Sequence, residues 1–305
     1  MEKKIIVDEE SSGLRLDKFL VTKIPDLSRT KINSLILAGS VSLDGRIKKP
    51  SFLLKTGQLI QVNFSQGSKT LKPYKITVKI IYEDQDIIIV DKPTGLVVHP
   101  PQEGYYKTLV NALMYLGKDL AVVNPLRPGV VHRLDKETSG VMVLAKNQSS
   151  YKNLVEQFKG RKVKKEYIAC VWGEIKKEKF NIDLPLGRDQ ANRLKMRVSF
   201  TKSKTAYTRV EVTKHLKGST CLCLKPLTGR MHQLRVHLKF LGYPIAGDKK
   251  YGVKDDCKQL LLHARVLGFL HPKTNQPLEF TSPVPERFNN FIQRHDSGTG
   301  PTLKT

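Results

Sequence analysis

The sequence predicts an α+β protein in two parts, on three observations. Strand-like alternation recurs along most of the chain, helical spacing occupies only a few short stretches, and a polar run, Ser65-Gln-Gly-Ser-Lys-Thr70, separates an amino-terminal segment from the rest. A parallel α/β fold would instead place a helix after nearly every strand. At 305 residues there is chain enough for two cores. The expected division is a first domain with its linker over residues 1–70, a larger domain over 71–294, and a loose polar tail over 295–305.

Taken in order, a short polar lead precedes Leu14, Leu16, Phe19 and Leu20, which fall at helical spacing. Ser28 suits the N-cap of a second helix, Arg29 to Ala38, with Ile32, Leu35 and Ile36 on its buried side and Gly39 as its stop. Val41 to Gly45 alternates into an Asp-Gly turn, and Ile47 to Phe64 continues strand-like. In the larger part, Ile76 to Tyr82 and Ile87 to Val90 read as strands, followed by the turn Asp91-Lys-Pro-Thr-Gly95. A helix is expected from Thr108 to Leu116, and a second from Tyr151 to Phe158. Val163 to Val171, Thr205 to Val212 and Thr220 to Leu224 alternate as strands. From Arg230 a helix would turn Leu234, Val236 and Leu238 inward and let Arg235 project.

Charge points to the partner. Lys and Arg number 53 against 28 Asp and Glu, a formal +25. Such an excess selects polyanions, and its spread along the whole chain favours nucleic acid over a membrane surface, which would concentrate it in one basic helix. No apolar run approaches the roughly 18 residues that span a bilayer. The opening Met-Glu-Lys-Lys-Ile-Ile-Val-Asp-Glu-Glu is too acidic for a signal peptide. Cys170, Cys221, Cys223 and Cys257 include no C-x-x-C pair, so free thiols in the cytoplasm are expected.

Two stretches carry chemistry. The first is Val131-His-Arg-Leu-Asp-Lys-Glu-Thr-Ser-Gly140, a polar loop running into the apolar strand Val141 to Ala145. Asp135 lies there between Arg133 and Lys136. Flanking cations suit a carboxylate that works ionised, as nucleophile or electrostatic stabiliser, rather than as a general acid. A solvated surface ion pair would look the same from charge pattern alone. The second is Pro226-Leu-Thr-Gly-Arg-Met-His-Gln-Leu-Arg-Val-His237, in which His232 and His237 are spaced by five, not the four of a helical metal pair. There is no Walker loop, no G-x-G-x-x-G and no zinc spacing, so no metal, nucleotide or other cofactor is expected.

HRLDKETSG followed by VMVLAKN resembles the catalytic loop of the RluA/RluD-type RNA pseudouridine synthases. Pro226 to His237 is similar to that family's second block, with Met231 where Thr or Ser is common, and Lys164-Lys-Glu-Tyr-Ile-Ala169 to its Lys-x-x-Tyr-x-Ala strand. Asp91 to Gly95, Tyr243 to Asp248 with Tyr251-Gly252, and Leu262 to Arg265 match further blocks. Arg15 to Phe19, Ser28 to Lys31 and Ala38 to Val41 resemble the RNA-binding domain named after the small-subunit ribosomal protein S-four. The resemblance runs in order from Arg15 to Phe291. It implies a mixed, largely antiparallel central sheet flanked by helices, and a small α+β RNA-binding domain before it. It also implies Asp135 as the catalytic carboxylate, Arg235 as its bidentate partner, and Tyr167 stacked on the uracil as a possible base. Arg133 would fill the place of the extruded base. His132, Lys136, Arg230, Arg29 and Lys31 would contact RNA. The expected function is isomerisation of uridine to pseudouridine in large-subunit ribosomal RNA by a monomer. Transfer RNA is the alternative substrate, and a ribosome-assembly factor without catalysis the alternative class.

Overall fold

The computed structural model describes residues 2–25, 27, 29–63, 71–101, 105–192 and 194–296, and every side chain of helix 29–37 except those of Thr30 and Lys31. The N-cap expected at Ser28, the linker at 65–70, Arg193 and nearly all of the tail lie outside the described residues. The chain divides into two compact units, Met1–Lys69 and Thr70–Thr305.

In the first unit, β1 (Glu2–Ile6), α1 (Leu16–Lys23), α2 (Arg29–Leu37), β2 (Val41–Leu43) and β3 (Leu59–Asn63) follow one another. The strands form an antiparallel sheet in the order β1-β3-β2. Leu16, Phe19 and Leu20 of α1 and Ile32 and Ile36 of α2 bury against Val41, Leu43, Ile60 and Val62, as the helical spacing required. Two expectations change. The polar lead is itself a strand, paired along its length with β3. The strand foreseen from Ile47 shrinks to Leu59–Asn63, because Pro50 offers no amide hydrogen and Gly57 turns the chain at φ +79°.

The second unit contains β4 (Lys79–Glu83), β5 (Ile87–Lys92), α3 (Leu109–Tyr115), β6 (Ser139–Ala145), α4 (Gln148–Lys159), β7 (Lys164–Trp172), β8 (Lys179–Asp183), β9 (Leu186–Arg188) and β10 (Met196–Val198). There follow β11 (Tyr207–Leu216), β12 (Ser219–Pro226), α5 (Gln233–Phe240), β13 (Leu262–Leu270), β14 (Pro277–Thr281) and α6 (Glu286–His295). The main sheet runs β4-β5-β6-β13-β7-β12-β11-β8, with β14 on β13, and β9 and β10 make a separate hairpin. Every pairing of the main sheet is antiparallel except β6 with β13. That is the mixed, largely antiparallel sheet expected.

Burial explains the central strands. β6 is buried at every position, which is why its sequence is a continuous apolar run rather than an alternation. β5 lies beside it, sending Ile88 and Val90 to the face covered by α3, and Ile87 and Ile89 to the face covered by α4. Thr108 caps α3 by accepting from the Asn111 amide, and Asn147 caps α4 by accepting from the Ser150 amide. β6 and β13 touch in parallel at only two residue pairs, Ser139 with His263 and Gly140 with Ala264. Gly140 has φ +123°, and a Cβ there would run into the Ala264 carbonyl. The glycine ending the 131–140 motif is therefore what lets the two strands meet.

Candidate active site

The 131–140 loop arrives at this junction from the β4-β5-β6 side of the sheet. Leu134 anchors it in the core against Met142 and Leu144. The Asp91–Gly95 turn clamps it from outside: the Gly95 amide donates to the Lys136 carbonyl at 2.8 Å, and the Thr94 hydroxyl to that of Glu137 at 2.6 Å. Lys92 sits beneath with no exposed surface, its Nζ donating to the carbonyls of Pro93, Leu96 and Lys136 at 2.9, 2.9 and 3.3 Å. Burial draws Lys92 down to about 7, against the pull of Asp135 and Glu137. The sequence marks this segment as a turn and a family block; the structure makes it the brace of the loop.

Asp135 is thereby held half-buried, its Oδ2 3.5 Å from Nη1 of Arg235 and 4.0 Å from Nε2 of His232. Arg235 comes from α5, on the other side of the β6–β13 junction. It does not project as foreseen: its side chain is 2 % exposed. Nor is Asp135 its bidentate partner. That partner is Asp248, whose two oxygens accept from Nε and Nη2 at 2.8 and 2.7 Å. The remaining nitrogen, Nη1, serves Asp135 and, at 3.4 Å, Glu137. Burial works against the charge on Arg235, but the hydrogen bonds and charge of Asp248 outweigh it and hold the guanidinium firmly protonated. Asp248 oxygens also accept from the Lys250 and Tyr251 amides, so the pair is fixed to the backbone that follows.

α5 begins at Gln233, three residues later than its sequence suggests, because His232 takes the left-handed conformation at φ +55°. A non-glycine residue there stores about 1–3 kcal/mol of strain, and the surroundings must hold it. The Gln233 side chain helps. Its carbonyl accepts from the Thr228 hydroxyl and the Arg230 amide, and its NH2 donates to the Tyr207 carbonyl and the Thr208 hydroxyl.

Tyr167 stands on β7 beside Asp135, at the centre of the sheet where β12 and β13 flank it. Burial first, and then the charge of Asp135, push its phenol well above the usual range. The hydroxyl therefore keeps its proton at neutral pH. Asp135, Tyr167 and His232 line a cleft of about 640 Å³, together with the cations Arg133, Lys159, Arg161, Lys165 and Arg230. A volume of this order fits a flipped nucleotide base with its sugar.

The remaining expected contacts fare differently. Arg133 is exposed at the cleft, and Arg230 reaches it while its Nε donates to the Thr205 carbonyl. Lys136 is exposed but does not line the cleft. His132 departs from the reading as a phosphate contact. Its ring stacks on Phe158 at 4.5 Å and its Nε2 accepts from the Val143 amide, while burial draws it down to about 3, so it carries no charge to offer. In the first unit, Arg29 is turned onto buried Asp17 at 2.8 Å and shares it with Arg15. The Lys31 side chain lies outside the described residues.

Among the described residues, Asp84, Asp86 and His271 are a group of three whose ligand atoms lie within 4.8 Å of one another. Asp84 accepts from Tyr82, His271 and two backbone amides, and Asp86 from Asn147 and Ser150, which accounts for the cluster as the lock of the β4–β5 turn. No described helix is long and apolar enough to cross a membrane.

Comparison with known proteins agrees with this arrangement. The family described as RNA pseudouridylate synthase matches residues 86–240, and the S4 domain matches residues 14–60. An RNA pseudouridine synthase of Aquifex aeolicus is 42 % identical over 97 % of this chain and 98 % of its own. YlyB of Bacillus subtilis, also an RNA pseudouridine synthase, is 38 % identical over 95 % and 96 %. The ribosomal large subunit pseudouridine synthase D of Xanthomonas campestris is 36 % identical over 99 % and 95 %. Among solved structures, human RNA pseudouridylate synthase domain containing 4 superposes with a TM-score of 0.57 at 28 % identity, covering 71 % of this chain and 92 % of that one. The chain belongs to the RNA pseudouridine synthase family, whose members are isomerases, and carries an amino-terminal S4 domain.

Proposed function

We propose that the protein converts uridines of large-subunit ribosomal RNA to pseudouridine, with Asp135 as nucleophile, Arg235 holding it and Tyr167 stacking on the base. The observation that carries this reading is the half-buried Asp135 carboxylate, 3.5 Å from a guanidinium locked by Asp248, at a cleft lined with cations. The 36 % identity to a large-subunit synthase across nearly the whole chain supports the substrate. The site is assembled within one chain, which suits a monomer, and four free thiols suit the cytoplasm.

Asp135 can form its bond to the anomeric carbon of the ribose or to the uracil ring. Either way the N1 link to the sugar breaks, the base turns, C5 joins the sugar, the bond to Asp135 is released as the carboxylate returns, the C5 proton leaves to solvent and N1 takes one up. No electron is exchanged. Extrusion of the base costs a few kcal/mol, which the cationic lining and the Tyr167 ring offset by holding phosphate and pyrimidine. Tritium release from ribosomal RNA labelled at uridine C5 tests the reading: native protein should release it and Asp135→Asn should not. Equal release from both would remove Asp135 from the chemistry. Release from transfer RNA alone would move the substrate, and none from any RNA would favour an assembly factor.

A further inference from the structure

Resting on that reading of Asp135, we propose that His232 is a positioning residue: one tautomer of its imidazole, fixed by the Tyr251 hydroxyl, presents Nε2–H to Oδ2 of Asp135 and leaves Oδ1 as the attacking oxygen. The chain of contacts begins at the β9–β10 hairpin. The Met196 amide donates to the Tyr251 oxygen at 2.8 Å. That oxygen lies 2.7 Å from Nδ1 of His232, and Nε2 of the same ring faces Oδ2 of Asp135 at 4.0 Å. A backbone amide only donates, so the Tyr251 oxygen accepts from Met196. Among the described residues its own hydrogen has one acceptor within reach, Nδ1 of His232. Donation to Nδ1 gives that hydrogen a partner within the fold, and in this tautomer Nε2 carries the proton.

The surroundings fix this arrangement twice over. Tyr251 donates its amide to Asp248 and lies under the Arg235 guanidinium at 5.3 Å. The His232 ring meets the Tyr251 ring edge-on at 5.3 Å, a placement that follows from the left-handed backbone at 232. Burial, then Arg235 and Lys250, oppose a second proton on the imidazole, while Asp135 and Asp248 favour one, and the balance lies below the ordinary histidine value. A neutral ring adds no second cation beside Arg235; it adds a direction. Arg235 and His232 both approach Oδ2 of Asp135. At 4.0 Å the histidine contact is longer than a hydrogen bond, and such contacts tighten when substrate closes a site.

Three variants of the full chain and one spectrum decide this. In nitrogen-15 NMR of histidine-labelled protein, His232 should show a protonated Nε2 and a bare Nδ1, and Tyr251→Phe should abolish that preference. Tyr251→Phe and His232→Gly should each lower the single-turnover rate by about 10- to 100-fold while RNA affinity stays within about twofold. His232→Gly relieves the left-handed backbone, so its melting temperature should not fall with its rate, and added imidazole should restore part of the rate. A protonated Nδ1 in the native spectrum overturns the proposal. So do native rates in both variants while Asp135→Asn is inactive. A fully active Asp135→Asn would instead refute the assignment of Asp135, and the role of His232 with it.

Discussion

At the scale of single residues, the site is governed by who holds Arg235. Asp135 touches this guanidinium with one oxygen, whereas Asp248 grips it with two, and both members of the Arg235–Asp248 pair are almost wholly buried. Asp248→Asn would leave a buried cation with weaker compensation. Removing one partner of a buried pair costs about 3–5 kcal/mol, which urea unfolding would read, and turnover should fall in the same variant. Tyr243 to Asp248 matches a family block, yet nothing in it marks Asp248 as the partner of Arg235. Asp135, Tyr167 and Arg235 could be read because each sits inside a long motif. What Asp248, Tyr251 and His232 do depends on which distant side chain each one meets, and local spacing carries no such information.

Among the elements, the Asp91–Gly95 turn and the β6–β13 contact were the least legible. Both are defined by pairing across more than forty residues, as Thr94 to Glu137 and Gly140 to Ala264 show. The strands and helices were read nearly in place because each buries a face whose period is visible locally. Exceptions include the edge strand β1, with its four polar or exposed positions, the strand expected from Ile47 that begins only at Leu59, the start of α5, displaced by one strained residue, and α6, for which no helix is expected. Gly140 gives the element-scale prediction. Gly140→Ala puts a methyl group against the Ala264 carbonyl at a backbone angle that only glycine tolerates well. The cost should be about 2–4 kcal/mol, seen as a lower melting temperature, and a variant as stable as the native protein would show that the strands can part there freely.

For the molecule as a whole, buried bases set the response to acid. Burial draws His99, His132 and His263 down to about 4, 3 and 4, whereas the unfolded chain protonates them near the ordinary value. Between those values the unfolded state binds more protons, so stability is complete above about pH 6.5 and is lost as pH falls toward 4. The urea midpoint should therefore drop between pH 7 and pH 4.5, and a level midpoint would mean that these rings are charged within the fold. The two-pair splice between β6 and β13 has a mechanical meaning as well. Asp135 hangs from one ladder of strands and Arg235 from the other, so the spacing of acid and guanidinium is set by how the two halves of the sheet are spliced.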